Sequence, residues 1–257
     1  MTPVPAGAIL RPAPKPDAAL RLFCFPYAGG GASAYHPWAR LLPPTVELCA
    51  LQLPGRETRR SEPPYSTFDE AIAGLSAAID PLLDKPFVFF GHSLGALLAF
   101  ETARRLRGEG KPQPQHLLLS SRRPPQLPEP FGPVAALPEG EFIAEIRRRY
   151  DGIPQVILQE PELMALFLPM LRADFGVLES HVYQAEPPLA APITVYGGSG
   201  DPIVTAAALS QWREHTVGAF AQQQFPGGHF YLQAQRAELV AAISKRLLNV
   251  SAQTPFR

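Results

Sequence analysis

The pentapeptide Gly91-His92-Ser93-Leu94-Gly95 constrains this chain more than any other feature, because of what flanks it. Before it, Phe87 to Phe90 is an unbroken apolar run of the kind that forms a strand buried on both faces, and from Leu94 onward the apolar spacing turns helical. A strand must therefore become a helix at Ser93. The G-x-S-x-G spacing suits that corner for a steric reason: the turn is so tight that the serine is strained and the positions two residues to either side have no room for a side chain. Such a corner holds the hydroxyl out from the sheet. It also aims the N–H of Leu94, at the start of the helix, towards the place where negative charge would build on a carbonyl oxygen under attack. Alone the motif recurs by chance, but between a strand and a helix it marks Ser93 as a candidate nucleophile.

The remainder of the chain supplies further units of the same kind. ALRLFCFP reads as a strand stopped by Pro26 and followed by the glycine loop Ala28 to Gly31, Tyr35 to Leu42 has helical character anchored by Trp38, and VELCALQLPG reads as a second strand. In STFDEAIAGLSAAIDPLL, Phe68, Ile72, Leu75, Ile79 and Leu82 fall at steps of three and four behind a cap at Ser66 or Thr67, which predicts an amphipathic helix. QHLLLSS, ITVYGG and AQQQF read as strands, with helices around Ala206 to Glu214 and in QRAELVAAISKRLL. Repeated strand–helix alternation predicts an α/β fold with a mostly parallel central sheet flanked by helices, and the length suits a single domain over residues 1–257. The interval from Arg122 to Pro192 is too long for a plain connection. It holds LPEGEFIAEIRRRY and EPELMALFLPMLRADFGVL, both helical in spacing, so a helical lid inserted at residues 122–190 is expected. Met164, Leu168, Met170, Leu171 and Phe175 are its candidate pocket-lining residues, although such a stripe also serves plain packing.

In a parallel sheet the reactive groups belong on loops beyond the carboxyl ends of the strands. Asp201 follows ITVYGGSG, and His229 follows AQQQFPGG. The loop Ser121 to Pro128 has no carboxylate, while Asp151 and Asp174 fall in the helical interval and are expected to be solvated. His36, His116, His181 and His215 lack a glycine-flexed loop after a strand, and His92 is expected to pack under the turn. The order Ser93, Asp201, His229 is that of the α/β-hydrolase fold. The roles follow from the chemistry: Ser93 is inert at its free pKa, so His229 must take its proton, and Asp201 must fix the imidazole tautomer and stabilise the imidazolium. A second donor for the oxyanion is expected from the backbone of Tyr27-Ala28-Gly29-Gly30-Gly31, a loop that fits neither G-x-G-x-x-G nor a Walker motif.

Composition removes several other classes. Lys and Arg total 23, as do Asp and Glu, so no basic field invites nucleic acid or an anionic membrane surface. Cys24 and Cys49 sit in apolar stretches and read as small buried hydrophobes. No segment reaches ~18 uninterrupted apolar residues, and the N-terminal stretch is punctuated by prolines, which gives the expectation of a cytoplasmic protein, most simply a monomer.

Taken together, FPYAGGGASAYHPWA, LQLPGRE, GHSLGALLAFETAR, YGGSGDP and FPGGHFYL resemble the discrete type II thioesterases associated with polyketide synthases and nonribosomal peptide synthetases, over nearly the whole chain. That resemblance implies hydrolysis of acyl groups from the phosphopantetheine arms of acyl or peptidyl carrier proteins, clearing stalled or misprimed chains. It matches Ser93, Asp201 and His229 to the family triad and the N–H groups of Ala28 and Leu94 to the oxyanion hole, with no cofactor beyond the phosphopantetheine that the substrate carries. Medium-chain acyl carrier thioesterases are similar too, a carboxylesterase would use the same triad, and a non-catalytic carrier-binding protein would keep the fold. Arg56 and Glu57 belong to the resemblance without a role legible in sequence. Arg147 to Arg149 read as a solvated helix face or, alternatively, as a contact for an acidic carrier protein.

Overall fold

The computed structural model describes residues 7–150, 153 and 155–253. Strands β1 (Ile9–Leu10), β2 (Leu20–Phe25) and β3 (Val46–Leu51) precede helix α1 (Phe68–Ile79), strand β4 (Phe87–His92), helix α2 (Leu94–Gly108) and strand β5 (Leu117–Ser120). Helices α3 (Glu139–Tyr150), α4 (Gln155–Gln159) and α5 (Pro161–Glu179) follow. The chain then returns to the sheet with β6 (Ile193–Gly198), α6 (Ala206–Ser210), β7 (Phe220–Phe225), α7 (Tyr231–Ala234) and α8 (Arg236–Gln253). The strands form one sheet in the order β1-β3-β2-β4-β5-β6-β7, parallel throughout except for β1.

The two-residue period of the strands divides the core. Phe23, Phe25, Phe87 and Phe89 face one side, where they meet Phe68, Ile72, Leu75 and Ile79 of α1 together with Leu97, Leu98 and Ala103 of α2. Leu22, Cys24, Val88 and Phe90 face the other side, against Tyr35, Trp38 and Leu239, Ile243 and Leu247 of α8. Because helices cover both faces, the inner strands are mainly apolar, and the charged residues on β2 and β3 are buried as a pair, Arg21 Nε donating to Glu47 Oε2 at 3.1 Å. β7 lies at the sheet edge, and its Gln222, Gln223 and Gln224 are exposed. Cys24 and Cys49 are buried free thiols, and burial pushes the Cys49 thiol up to about 12.

Departures from the sequence reading are local. The expected helix at Tyr35 to Leu42 is a 3-10 segment over Ala32–Arg40 that contains Pro37, whose missing N–H cannot serve an α-helical ladder. The helix expected at Ala206 to Glu214 is α6 followed by a 3-10 turn over Gln211–His215. β1 went unread because two residues cannot display alternation; it pairs Ile9 with Leu51. Of the two carboxylates expected in solvent, Asp151 lies outside the described residues. Asp174 is a correction: it is 3% exposed, because α5 turns it inward onto Arg56. Among the described residues no helix is long and apolar enough to cross a membrane.

The N-terminus of α1 is closed by Thr67, whose hydroxyl accepts from the N–H of Glu70 at 3.2 Å. Replacing Thr67 by Ala leaves that donor to water alone and is expected to lower stability by about 1 kcal/mol, read as a shift in the urea midpoint with an unchanged slope.

Candidate active site

β4 is the central strand, and its corner into α2 places Ser93 at φ 53° and ψ −119°, a left-handed backbone that a non-glycine residue adopts only under constraint. The constraint is visible on both sides. A Cβ at Gly91 would lie 2.0 Å from the carbonyl oxygen of Gly95, and one at Gly95 would lie 2.3 Å from that of Phe25. The N–H of Ser93 donates to the carbonyl of Ser120 at 2.8 Å, so the neighbouring strand holds the corner in place.

The loops after β6 and β7 bring the other two residues to it. They are tied to each other by Ser199 N–H on the Phe225 carbonyl and Gly200 N–H on the Gly227 carbonyl, both at 2.8 Å. His229 Nε2 lies 3.0 Å from Ser93 Oγ, and His229 Nδ1 lies 2.8 Å from Asp201 Oδ2. The second carboxylate oxygen of Asp201 accepts from the N–H groups of Ile203 at 2.9 Å and Val204 at 3.1 Å. Burial works against ionisation of Asp201, but the hydrogen bond and charge of His229, aided by the two N–H donors, hold its pKa below the ordinary carboxylate value. An ionised Asp201 accepts from Nδ1–H, which leaves Nε2 as the acceptor facing Ser93.

Leu94 is the first residue of α2, directly after Ser93. Ala28 precedes Gly29 in a four-residue turn closed by Gly30 N–H on the Tyr27 carbonyl at 2.8 Å. Ala28, Ser93 and His229 line one small pocket of about 20 Å³, together with Ile146, Tyr150, Leu171, Phe175, Leu178 and Phe230. Of the five lid residues singled out from sequence, Leu171 and Phe175 line this pocket. Leu168 is buried in a separate cluster with Val134, Phe142 and Ile146, Met164 packs against that cluster, and Met170 is half-buried and not among the pocket-lining residues. The residues that sequence reasoning passed over had a signal: Ile146 and Tyr150 stand four apart on α3, and Leu171, Phe175 and Leu178 continue one face of α5. Tyr150 packs on His229 with ring centroids 4.9 Å apart.

Arg148 and Arg149 are committed to Glu145, and both guanidinium groups lie 4.9 Å from the centre of the Phe131 ring, so two members of the basic triplet are engaged within the segment between β5 and β6. Glu57 accepts from Ser33 through both its backbone N–H and its hydroxyl.

The family model described as "Thioesterase domain" matches residues 20–247. The chain belongs to the thioesterase family. The gramicidin S biosynthesis protein GrsT of Aneurinibacillus migulanus is 43% identical to this thioesterase over 230 residues, covering 90% of each chain. A medium-chain S-acyl fatty acid synthase thioesterase of Homo sapiens is 33% identical over 226 residues, covering 85% of this chain and 83% of its own. Among solved structures, the RedJ thioesterase from the prodiginine biosynthetic pathway in Streptomyces coelicolor superposes with a TM-score of 0.83 at 36% identity, covering 89% of this chain and 85% of its own.

Beneath the corner, His92 is fully buried, with Nδ1 2.9 Å from Ser120 Oγ, which in turn lies 2.8 Å from the Tyr231 hydroxyl. Burial, reinforced by nearby His229, pushes its pKa well below the ordinary value; burial also lowers that of His215, and takes His116 down to about 4. Unfolded histidines bind protons near pH 6.5 and these folded ones do not. Stability should therefore be complete above about pH 6.5 and fall as the solution is acidified below it. Urea titrations from about pH 7.5 to about pH 5 should show that fall, and His92→Gln should flatten it by up to about 1.4 kcal/mol per pH unit.

Proposed function

We propose that this thioesterase hydrolyses acyl groups from the phosphopantetheine arms of acyl or peptidyl carrier proteins, removing stalled or misprimed chains from a polyketide synthase or nonribosomal peptide synthetase. The observation that carries the reading is the unbroken relay from Asp201 through His229 to Ser93 beneath a pocket lined mainly by apolar side chains. GrsT is named for gramicidin S biosynthesis and RedJ for the prodiginine biosynthetic pathway, and this association with dedicated biosynthesis supports the choice of substrate. In this reading Ser93, His229 and Asp201 are catalytic, and the N–H groups of Ala28 and Leu94 receive the oxyanion. The substrate brings the only prosthetic group needed, and the chain works as a cytoplasmic monomer that meets a carrier protein.

The reaction begins as His229 Nε2 takes the proton of Ser93 and Oγ adds to the thioester carbonyl carbon. The carbonyl oxygen becomes the oxyanion, held by the two backbone donors. Collapse breaks the carbon–sulfur bond, and the thiolate leaves with the proton from His229. Water, deprotonated by His229, then adds to the acyl-serine, and the proton returns to Ser93 as the carboxylic acid departs. A thiolate leaves readily, so the demand on His229 as an acid is smaller than for an amide, and amide cleavage is not expected. The pocket of about 20 Å³ is walled by Ile146 and Tyr150 of α3 and by Leu171, Phe175 and Leu178 of α5, so these two helices bound the space next to Ser93.

A second reading, a medium-chain fatty acyl carrier thioesterase, uses the same residues and is favoured by the similarity to the human enzyme. Substrate preference separates the two. Ratios of kcat/KM across short, branched and medium-chain acyl carrier conjugates, with simple esters for reference, should favour the carrier-bound acyl groups over the esters. A clear preference for unbranched medium chains would move the assignment to the second reading, and one for free esters to a carboxylesterase. Ser93→Ala should lower kcat by about 10³-fold or more, and mass spectrometry after brief exposure to substrate should find the acyl group on Ser93. Undiminished hydrolysis by Ser93→Ala would end the proposal.

A further inference from the structure

The reaction just described makes no use of a buried ion pair, yet one sits against the oxyanion loop. Arg56 follows β3 and Asp174 lies on α5, and both are almost fully buried. The guanidinium grips the carboxylate with Nη1 on Oδ2 at 2.7 Å and Nη2 on Oδ1 at 2.5 Å. Each partner also reaches beyond the other. Asp174 Oδ2 accepts from the N–H of Gly29 at 2.8 Å, and Arg56 Nη1 donates to the carbonyl of Gly30 at 3.0 Å. The first contact holds the peptide that joins Ala28 to Gly29, and the second holds the one that joins Gly30 to Gly31.

α5 touches the same loop through its apolar side chains. Gly29 has φ +75°, and a Cβ there would lie 2.7 Å from Cζ of Phe167 and 3.0 Å from Cδ1 of Leu171. The glycine therefore serves both the turn and the seating of the helix. Leu171 and Phe175, on either side of Asp174, line the pocket over Ser93. One helix thus shapes the pocket and, through a single carboxylate, braces the turn that carries Ala28.

Stability alone is a weak reason for such a pair, since well-packed apolar residues of similar volume do as well or better in a buried site. Orientation is a stronger one, because a donor acts on an oxyanion only when its N–H is aimed at the place where the charge develops. We propose that Arg56 and Asp174 are positioning residues: through Gly29 N–H and the Gly30 carbonyl they keep the N–H of Ala28 aimed at the oxyanion, and only while α5 is seated on the loop. This rests on the reading under Proposed function that Ala28 is an oxyanion donor. Neither residue touches the reacting atoms, so their loss should weaken the transition state and leave ground-state binding nearly intact.

The test compares wild type, Asp174→Asn and the double variant Arg56→Met/Asp174→Leu, each checked for native fold by circular dichroism and thermal unfolding. The double variant removes both charges together, so no unpaired charge is left buried, and Asp174→Asn keeps the volume and one acceptor. Two ligands report on different states. An acyl trifluoromethyl ketone lets Ser93 Oγ add to its carbonyl and generates the oxyanion, whereas an acyl-pantetheine thioether cannot be attacked. The expected result for the double variant is a kcat roughly 10- to 100-fold below wild type, with KM within about threefold. Ketone affinity should fall in parallel with kcat/KM while thioether affinity is unchanged, and Asp174→Asn should fall between the two on each measure. If the folded double variant keeps wild-type kcat, or if both ligands weaken alike, the positioning role is wrong. Should the double variant fail to fold, the same two outcomes in Asp174→Asn decide the matter. Absence of turnover in wild type would instead overturn the reading under Proposed function, and this inference with it.

Discussion

A Cβ on Gly95 would stand 2.3 Å from the carbonyl oxygen of Phe25, and the whole site depends on that closeness. It lets α2 start hard against the end of β2, which forces the chain at Ser93 into a left-handed backbone and lifts the hydroxyl clear of the sheet. The strain is local and the restraint is spread widely: β2 and β5 flank β4, Ser120 holds the N–H of Ser93, and aromatic residues of β2 and β4 fill the core below. A strained residue persists only where its surroundings leave it no alternative, which is why this corner lies at the centre of the sheet and not at an edge.

His229 and Asp201 reach Ser93 from loops with little structure of their own. Their accuracy comes from each other, through backbone hydrogen bonds between the loops after β6 and β7, and from Asp201, which accepts from Ile203, Val204 and His229. A carboxylate held by backbone donors on one oxygen and the imidazole on the other keeps that imidazole in one tautomer and one orientation. Helices α3 and α5 add a third layer of contact, Tyr150 against His229 and α5 against Gly29.

Legibility in the sequence followed the range of the interaction. The elbow, the cap at Thr67, the inner strands and the amphipathic face of α1 are local patterns with a period of two or 3.6, and each was readable. Ser93, Asp201 and His229 were readable as a set because the fold orders such residues along the chain. The 3-10 segment at Ala32–Arg40 was read as helical without its type, since the apolar spacing of the two helices is close over so short a run. Asp174 misled for the opposite reason. Its partner stands 118 positions away, and a carboxylate in a helical interval looks solvated until the helix is seen to face inward.

The sequence by itself determined the kind of sheet, the strand-to-helix corner and the identity of the three residues around it, because these are written in steric exclusions and repeats that act over a few residues. Only the tertiary structure decided which lid side chains meet the pocket, that Arg56 and Asp174 brace the loop after β2, and how small the cavity over Ser93 is. Those contacts join residues whose separation along the chain carries no periodic signal, so they exist only once the helices between β5 and β6 have come down on the sheet.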